Sequence, residues 1–162
     1  YTNKIITINA QNVSSARNKG AKKAKGQILV FLDADCTVAP NLFDEMSKTI
    51  QNKYVGGYTK THALEKDKKA QILWSVGNFF RHFFPAGSGM LFCRKEMFTP
   101  FDESRKLAED THFLLQLRRK GKLVYLTKTY IKTSSRRFKK EGYFWTILRQ
   151  FSAFFVKNKK GY

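Results

Sequence analysis

Gln27-Ile28-Leu29-Val30-Phe31-Leu32-Asp33-Ala34-Asp35 is the stretch that decides the fold. The run from Ile28 to Leu32 is continuously apolar, which is the signature of a strand covered on both faces. It ends abruptly in two aspartates. Upstream, Val13 to Lys25 reads as a helix stopped by Gly26, with Val13, Ala16, Gly20 and Ala24 forming a narrow face of small side chains suited to lying close on a sheet. Before it, Lys4 to Ile8 reads as a short buried strand. Downstream, a helix runs from Pro40 or Asn41 to Asn52. Asp44 and Glu45 sit in its early turns, and Leu42, Phe43, Met46 and Ile50 are directed inward. Strand, helix, strand, helix in this order predicts an α/β domain with parallel strands.

The pattern continues along the chain. Tyr54 to Thr61 is a strand, and the aromatic stretch Ile72 to Phe84 is a helix or part-helix without a clean polar face. Gly87-Ser88-Gly89 opens a short strand, Met90 to Cys93. Glu109 to Lys120 is a helix whose core stripe is Phe113, Leu114 and Leu117. Arg118, Arg119 and Lys120 suit its C-terminal dipole, and Gly121 reads as its cap. Lys122 to Leu126 returns as a strand. In the last segment, Tyr143 to Phe155, aromatic and aliphatic residues recur at helical spacing between basic clusters, the pattern of a helix lying on an anionic membrane surface. The other reading of that face is packing on the domain's own core.

At 162 residues the chain is the size of one domain. Its 42% hydrophobic content is spread in short blocks, which excludes a disordered chain. A balance of 31 Lys and Arg against 12 Asp and Glu, a net charge of +19, calls for an anionic partner. The sequence shows no basic recognition helix, aromatic sheet motif or zinc spacing, so no specific nucleic acid is expected. Cys36 and Cys93 form no paired motif and read as reduced thiols of a cytoplasmic protein. No signal-peptide pattern and no apolar run of about 20 residues occurs, so contact with a membrane would be peripheral, at its inner face. His62, His82 and His112 have no ligand spacing among themselves.

Asp33 and Asp35 stand at the carboxyl end of the most buried strand, the edge where open α/β sheets bind ligands. Two carboxylates at this spacing can hold a hard divalent cation and leave positions for phosphate oxygens. Aspartates in this place also form ordinary turns.

The surrounding residues resemble family 2 glycosyltransferases of the GT-A type. The resemblance is carried by Ala16-Arg17-Asn18-Lys19-Gly20, Ala24-Lys25-Gly26 and Phe31-Leu32-Asp33-Ala34-Asp35. It continues in the same order through Gly87-Ser88-Gly89, Phe101-Asp102-Glu103, Glu109-Asp110 and Leu117-Arg118-Arg119-Lys120-Gly121, and covers Lys4 to about Phe138. It implies a Rossmann-type mixed sheet flanked by helices and an inverting transfer from a nucleotide-sugar donor to a glycan or lipid-linked acceptor. It assigns Asp33 and Asp35 to a divalent metal, Mn2+ or Mg2+, and the donor diphosphate. Asp110 becomes the base with Glu109 as its neighbour, while Arg17, Gly87 and Gly89 border the nucleotide sugar. At a helix start Asp110 could instead be a cap, and the dipole there would lower its pKa, against the needs of a base.

Ser134-Ser135-Arg136-Arg137-Phe138 stands where the family carries Q-x-x-R-W. Arg137 matches, and Ser134 replaces the glutamine. The resemblance also places Tyr1 at the family's third strand, which leads to the expectation of a partial catalytic domain over residues 1–138 followed by a basic, aromatic helix over 139–162. The first strands would then be missing or supplied by self-association or a second chain. A noncatalytic scaffold and a basic nucleic-acid-binding protein are the alternatives.

Overall fold

A computed structural model describes residues 5, 7, 9, 12–51, 53–87, 89–105 and 107–142, without the side chains of Arg137 and Glu141. The strand expected over Lys4–Ile8 and the helix expected over Tyr143–Phe155 lie outside the described residues.

The described strands are β1 (Ile28–Leu32), β2 (Cys36–Val38), β3 (Gly56–Ala63), β4 (Met90–Arg94) and β5 (Leu123–Thr133). The helices are α1 (Val13–Lys23), α2 (Leu42–Gln51), α3 (Lys68–Phe80), α4 (Glu109–Arg118) and α5 (Arg136–Glu141), with a 3-10 turn at Lys95–Met97. The strands form one sheet in the order β1-β4-β3-β5-β2. It is a mixed sheet, as the GT-A resemblance implies, and the simpler expectation of parallel strands needs correction. Only β3 and β5 are parallel neighbours, while β4 runs antiparallel to both β1 and β3 and β2 runs antiparallel to β5. The reason is a return of the chain. After α3, residues 81–89 travel back to the carboxyl end of β1, so that Met90 begins β4 opposite Leu32. The apolar strand β1 is therefore at one end of the described sheet and not at its centre.

Both faces of β1 are nonetheless used. Leu29 and Phe31 join Tyr58, Leu91, Phe101, Phe113, Leu114 and Leu117 in the core beneath α1 and α4. Ile28 and Val30 face the opposite layer, where Leu42 and Met46 of α2 meet Met90, Phe92 and Ile131. Rings fill the first layer. Phe101 stacks on Phe113 at 4.3 Å and meets Phe31 edge-on at 5.0 Å. A fully buried ring of this kind contributes about 1.5–3 kcal/mol, so Phe113→Ala would cost about 3–5 kcal/mol.

Several local expectations shift. The buried face of α1 is Ser14, Ser15, Asn18 and Ala21, whereas Val13 is exposed. This helix buries polar side chains because Asn18 has a specific partner, the backbone of Phe101. Phe43, expected inward, is exposed on α2, while Leu42 and Met46 carry the contact. Gly121 does not cap α4. The helix ends through Arg119 and Lys120, and a Cβ at Gly121 would lie 2.4 Å from Val55 Cγ1, so its small size serves close packing. Strand β5 runs well past Leu126, because pairing with β3 breaks there and resumes as Lys60 opposite Tyr130. The Thr59 hydroxyl donates to the carbonyls of Leu126 and Thr129 and holds the irregularity together.

Candidate active site

The site is assembled at the carboxyl end of β1 from residues far apart in the chain. α1 starts with Asn12, whose carboxamide oxygen accepts the Ser15 N–H at 2.8 Å, a standard N-cap. One turn further, Asn18 accepts the Phe101 N–H at 2.8 Å and donates to the Phe101 carbonyl at 2.9 Å. Its amide also donates to Glu103 Oε1 at 2.9 Å, and the Asn12 amide donates to the Glu103 carbonyl at 2.8 Å. The Phe101-Asp102-Glu103 loop is thereby fastened along α1. Asn18 is the lock of this arrangement, a role that helix periodicity alone could not indicate.

With α1 fixed, Arg17 points across the end of β1. Its Nη2 donates to Asp33 Oδ1 at 2.8 Å, its Nη1 donates to Asp110 Oδ1, and Glu109 Oε1 lies 3.5 Å from the same nitrogen. The guanidinium carbon is 5.3 Å from the centroid of the Phe101 ring. Thus one guanidinium joins Asp33, from the strand end, to Glu109 and Asp110, from the first turn of α4. Burial disfavours the Arg17 charge, but Asp110, Asp33 and Glu109 outweigh it and raise its pKa above the ordinary value.

Asp110 is not the cap of α4. The capping position is Ala108, in a left-handed conformation at φ 55° with no side-chain cap bond. That conformation costs an L-residue about 1–2 kcal/mol. Asp110 is instead largely buried, and its carboxyl pKa is pushed up to about 6, chiefly by burial, with Arg17 opposing the shift and the charges of Glu109 and Asp33 adding to it. Burial, rather than the position at a helix start, decides the direction of this shift.

Asp35 has partners of its own. Its Oδ1 lies 3.5 Å from the Thr133 hydroxyl, which donates to it, and 3.9 Å from Cys36 Sγ. Gly89, at φ +80°, offers its carbonyl to the Asp33 N–H at 2.9 Å, and a Cβ there would sit 2.8 Å from Cys36 Sγ. Gly87 lies against Asp110: a Cβ would come within 2.5 Å of Asp110 Cβ and 2.6 Å of Leu91 Cδ2. The structure therefore brings Arg17, Asp33, Gly87, Glu109 and Asp110 together, with the Gly89 carbonyl on the Asp33 N–H and Asp35 beside Cys36 and Thr133. Arg137 lies on α5, and its side chain is outside the described residues. Ser134 is already engaged, since its hydroxyl donates to Glu65 Oε1 at 2.8 Å and the Ser135 N–H donates to Glu65 Oε2 at 2.8 Å. These bonds outweigh the effect of burial and hold the Glu65 carboxyl down to about 2. Thr133, Glu65 and the short strand β2 were not recognisable as parts of this edge, because only the pairing of β5 brings them there.

Among the described residues no group of three or more His, Cys, Asp and Glu is placed to hold a metal by itself. The donor chemistry fits a hard divalent ion held jointly with a substrate. Asp33 and Asp35 are accessible carboxylates on either side of one turn, and Mg2+ is commonly bound through one or two carboxylates completed by water and substrate phosphates.

A search of curated proteins finds no match to this chain. The family model described as glycosyl transferase family 2 matches residues 3–114, which contain Arg17, Asp33, Asp35, Glu109 and Asp110. On that match, well over half of its length, the chain belongs to glycosyl transferase family 2.

Proposed function

We propose that the chain transfers a sugar from a nucleotide-sugar donor to an acceptor hydroxyl with inversion at the anomeric carbon. The observation that carries this reading is the single guanidinium of Arg17 linking Asp33 to a buried Asp110 whose carboxyl sits near 6. A base with that value is ionised at neutral pH yet still a competent proton acceptor.

Asp110 takes the acceptor hydroxyl proton as the acceptor oxygen bonds to the anomeric carbon and the bond from that carbon to the diphosphate oxygen breaks. Glu109 adds negative charge beside it and keeps its proton affinity up. Asp33 and Asp35 hold Mn2+ or Mg2+, which when bound offsets the charge developing on the departing nucleoside diphosphate. Arg17 orients Asp33 and Asp110 toward each other and presents a cation to the same diphosphate. Gly87 and Gly89 let the backbone pass close to the reacting groups, and Arg137 is the further candidate for diphosphate or acceptor contact. The high positive charge suits a phosphorylated or lipid-linked acceptor at the inner face of a membrane.

The experiment is calorimetric titration of nucleoside diphosphates with Mn2+ into wild type, Asp33→Asn and Asp35→Asn. The variants should keep their fold and lose metal-dependent binding. Binding equal to wild type would remove the metal pair from this reading.

A further inference from the structure

α3 has two unlike faces. On the inner face Ala70, Trp74 and Asn78 are buried, followed by Arg81 just beyond the helix. The Asn78 carboxamide exchanges hydrogen bonds with the Thr61 backbone at 3.0 and 2.9 Å, and Arg81 Nη1 donates to the Thr61 hydroxyl at 2.9 Å. Asn78 and Arg81 thus turn their polar groups toward the sheet, while Gln71 and Ser75 are exposed. On the outer face stand Ile72, Val76, Phe79, Phe80, Phe83 and Phe84, each 47–65% exposed. The first five follow helical spacing, and backbone bonds from Phe83 and Phe84 to the Phe80 carbonyl continue the turn. Phe79 meets Phe80 at 5.8 Å and Phe83 at 5.5 Å, so the rings form one contiguous surface. Monomeric soluble proteins rarely leave such a patch to water without a use.

The charges around the patch select its partner. The sequence contains no acidic residue between Asp67 and Glu96, while Lys68 and Lys69 occupy the first turn of α3. At the other end, Phe83 lines an open cleft of about 590 Å³ with Arg118 and Lys122. A second copy of a chain carrying +19 would bring like charges together, with no carboxylate among residues 68–95 to pair them. An anionic surface meets both the rings and the bracketing cations. A helix of 13 residues is about 20 Å long, too short to cross a bilayer, and among the described residues no helix is long and apolar enough to span one.

We propose that the outer face of α3 seats the protein on an anionic lipid surface, with the phenylalanine rings among the acyl chains and Lys68, Lys69, Arg118 and Lys122 against the phosphates. The docking rests on α3 and its flanks alone. Its meaning for the reaction, the presentation of a membrane-borne acceptor to Asp110, rests on the function proposed above.

The test is flotation of the full chain with phosphatidylglycerol-containing vesicles and with pure phosphatidylcholine vesicles. Phe79→Ser/Phe83→Ser is compared with Phe151→Ser/Phe155→Ser in the basic C-terminal segment. Wild type should float with the anionic vesicles and not with the neutral ones. The α3 variant should lose about tenfold or more in partitioning at an unchanged thermal midpoint, because its substituted side chains are exposed. Ile72→Ser/Val76→Ser should weaken partitioning in the same direction. The proposal is overturned if wild type ignores anionic vesicles or if the α3 variant floats like wild type. It is equally overturned if that variant only converts a dimer to a monomer in sedimentation without changing flotation. Asp110→Asn should float normally whatever its transfer activity, so failure of the docking and failure of the enzymatic reading give different results.

Discussion

Arg17 and Arg81 are both largely buried arginines, and they have opposite electrostatic surroundings. Arg81 bonds to the Thr61 hydroxyl and the Asn78 carboxamide oxygen and lies 5.7 Å from the Trp74 ring. Burial prevails there and pushes its pKa down to about 10. Arg17 faces Asp33, Glu109 and Asp110, and its pKa moves up. Arg81 is anchored among groups that belong to α3 and β3, and it fixes the helix to the sheet. Arg17, on α1, is shared by groups from two other segments, the end of β1 and the first turn of α4, which a substrate could re-pair. A buried charge serves as scaffold in the first place and, under the proposed function, as part of the reactive centre in the second.

Substitutions can break this contrast. Asp110→Asn should lower turnover by about three orders of magnitude with nucleotide binding nearly unchanged, measured by single-turnover assay on a panel of nucleotide sugars. Arg17→Ala should cost about 10²–10³ in kcat/KM, because it removes both the cation and the link between the strand end and α4. Arg81→Ala should do the reverse, lowering stability by about 2–3 kcal/mol in urea unfolding while leaving metal-dependent nucleotide binding intact. If Arg81→Ala abolished nucleotide binding in the folded protein, the division between scaffold and site would be wrong. The smallest effect is expected for Gly87→Ala. Its Cβ would press on Asp110 and Leu91, costing about 1–2 kcal/mol in stability and weakening turnover more than binding.

The parts of this molecule that the sequence makes legible are those where one local signal dominates. The apolar run of β1, the Phe113, Leu114 and Leu117 stripe of α4 and the aspartates after β1 are all of this kind. The inner face of α1 departs from its helical apolar pattern because its burial depends on Asn18 finding the Phe101 backbone, 83 residues away. The antiparallel course of β4 depends on where residues 81–89 return, which periodicity does not encode. The second half of β5, from Thr127 to Thr133, alternates too weakly to be read as a strand and is held by β2 and β3. At the site, Glu109-Asp110 was visible through family resemblance. Its pairing with Arg17, across 93 residues, and the burial that decides the proton affinity of Asp110 are properties of the folded chain.

Those properties make the pKa of Asp110 the central quantity. Its value in the fold lies above that of an unfolded chain, so the protonated form favours folding. That contribution is complete below about pH 4 and is lost as pH rises through about 6. The direct measurement is a pH titration of the aspartate carboxyl carbons by NMR in the ligand-free protein, with Asp110 assigned by its disappearance in Asp110→Asn. The account predicts a midpoint close to 6 that moves upward in Arg17→Ala, where the opposing cation is gone. A midpoint near 4 in wild type, unmoved by Arg17→Ala, would contradict it.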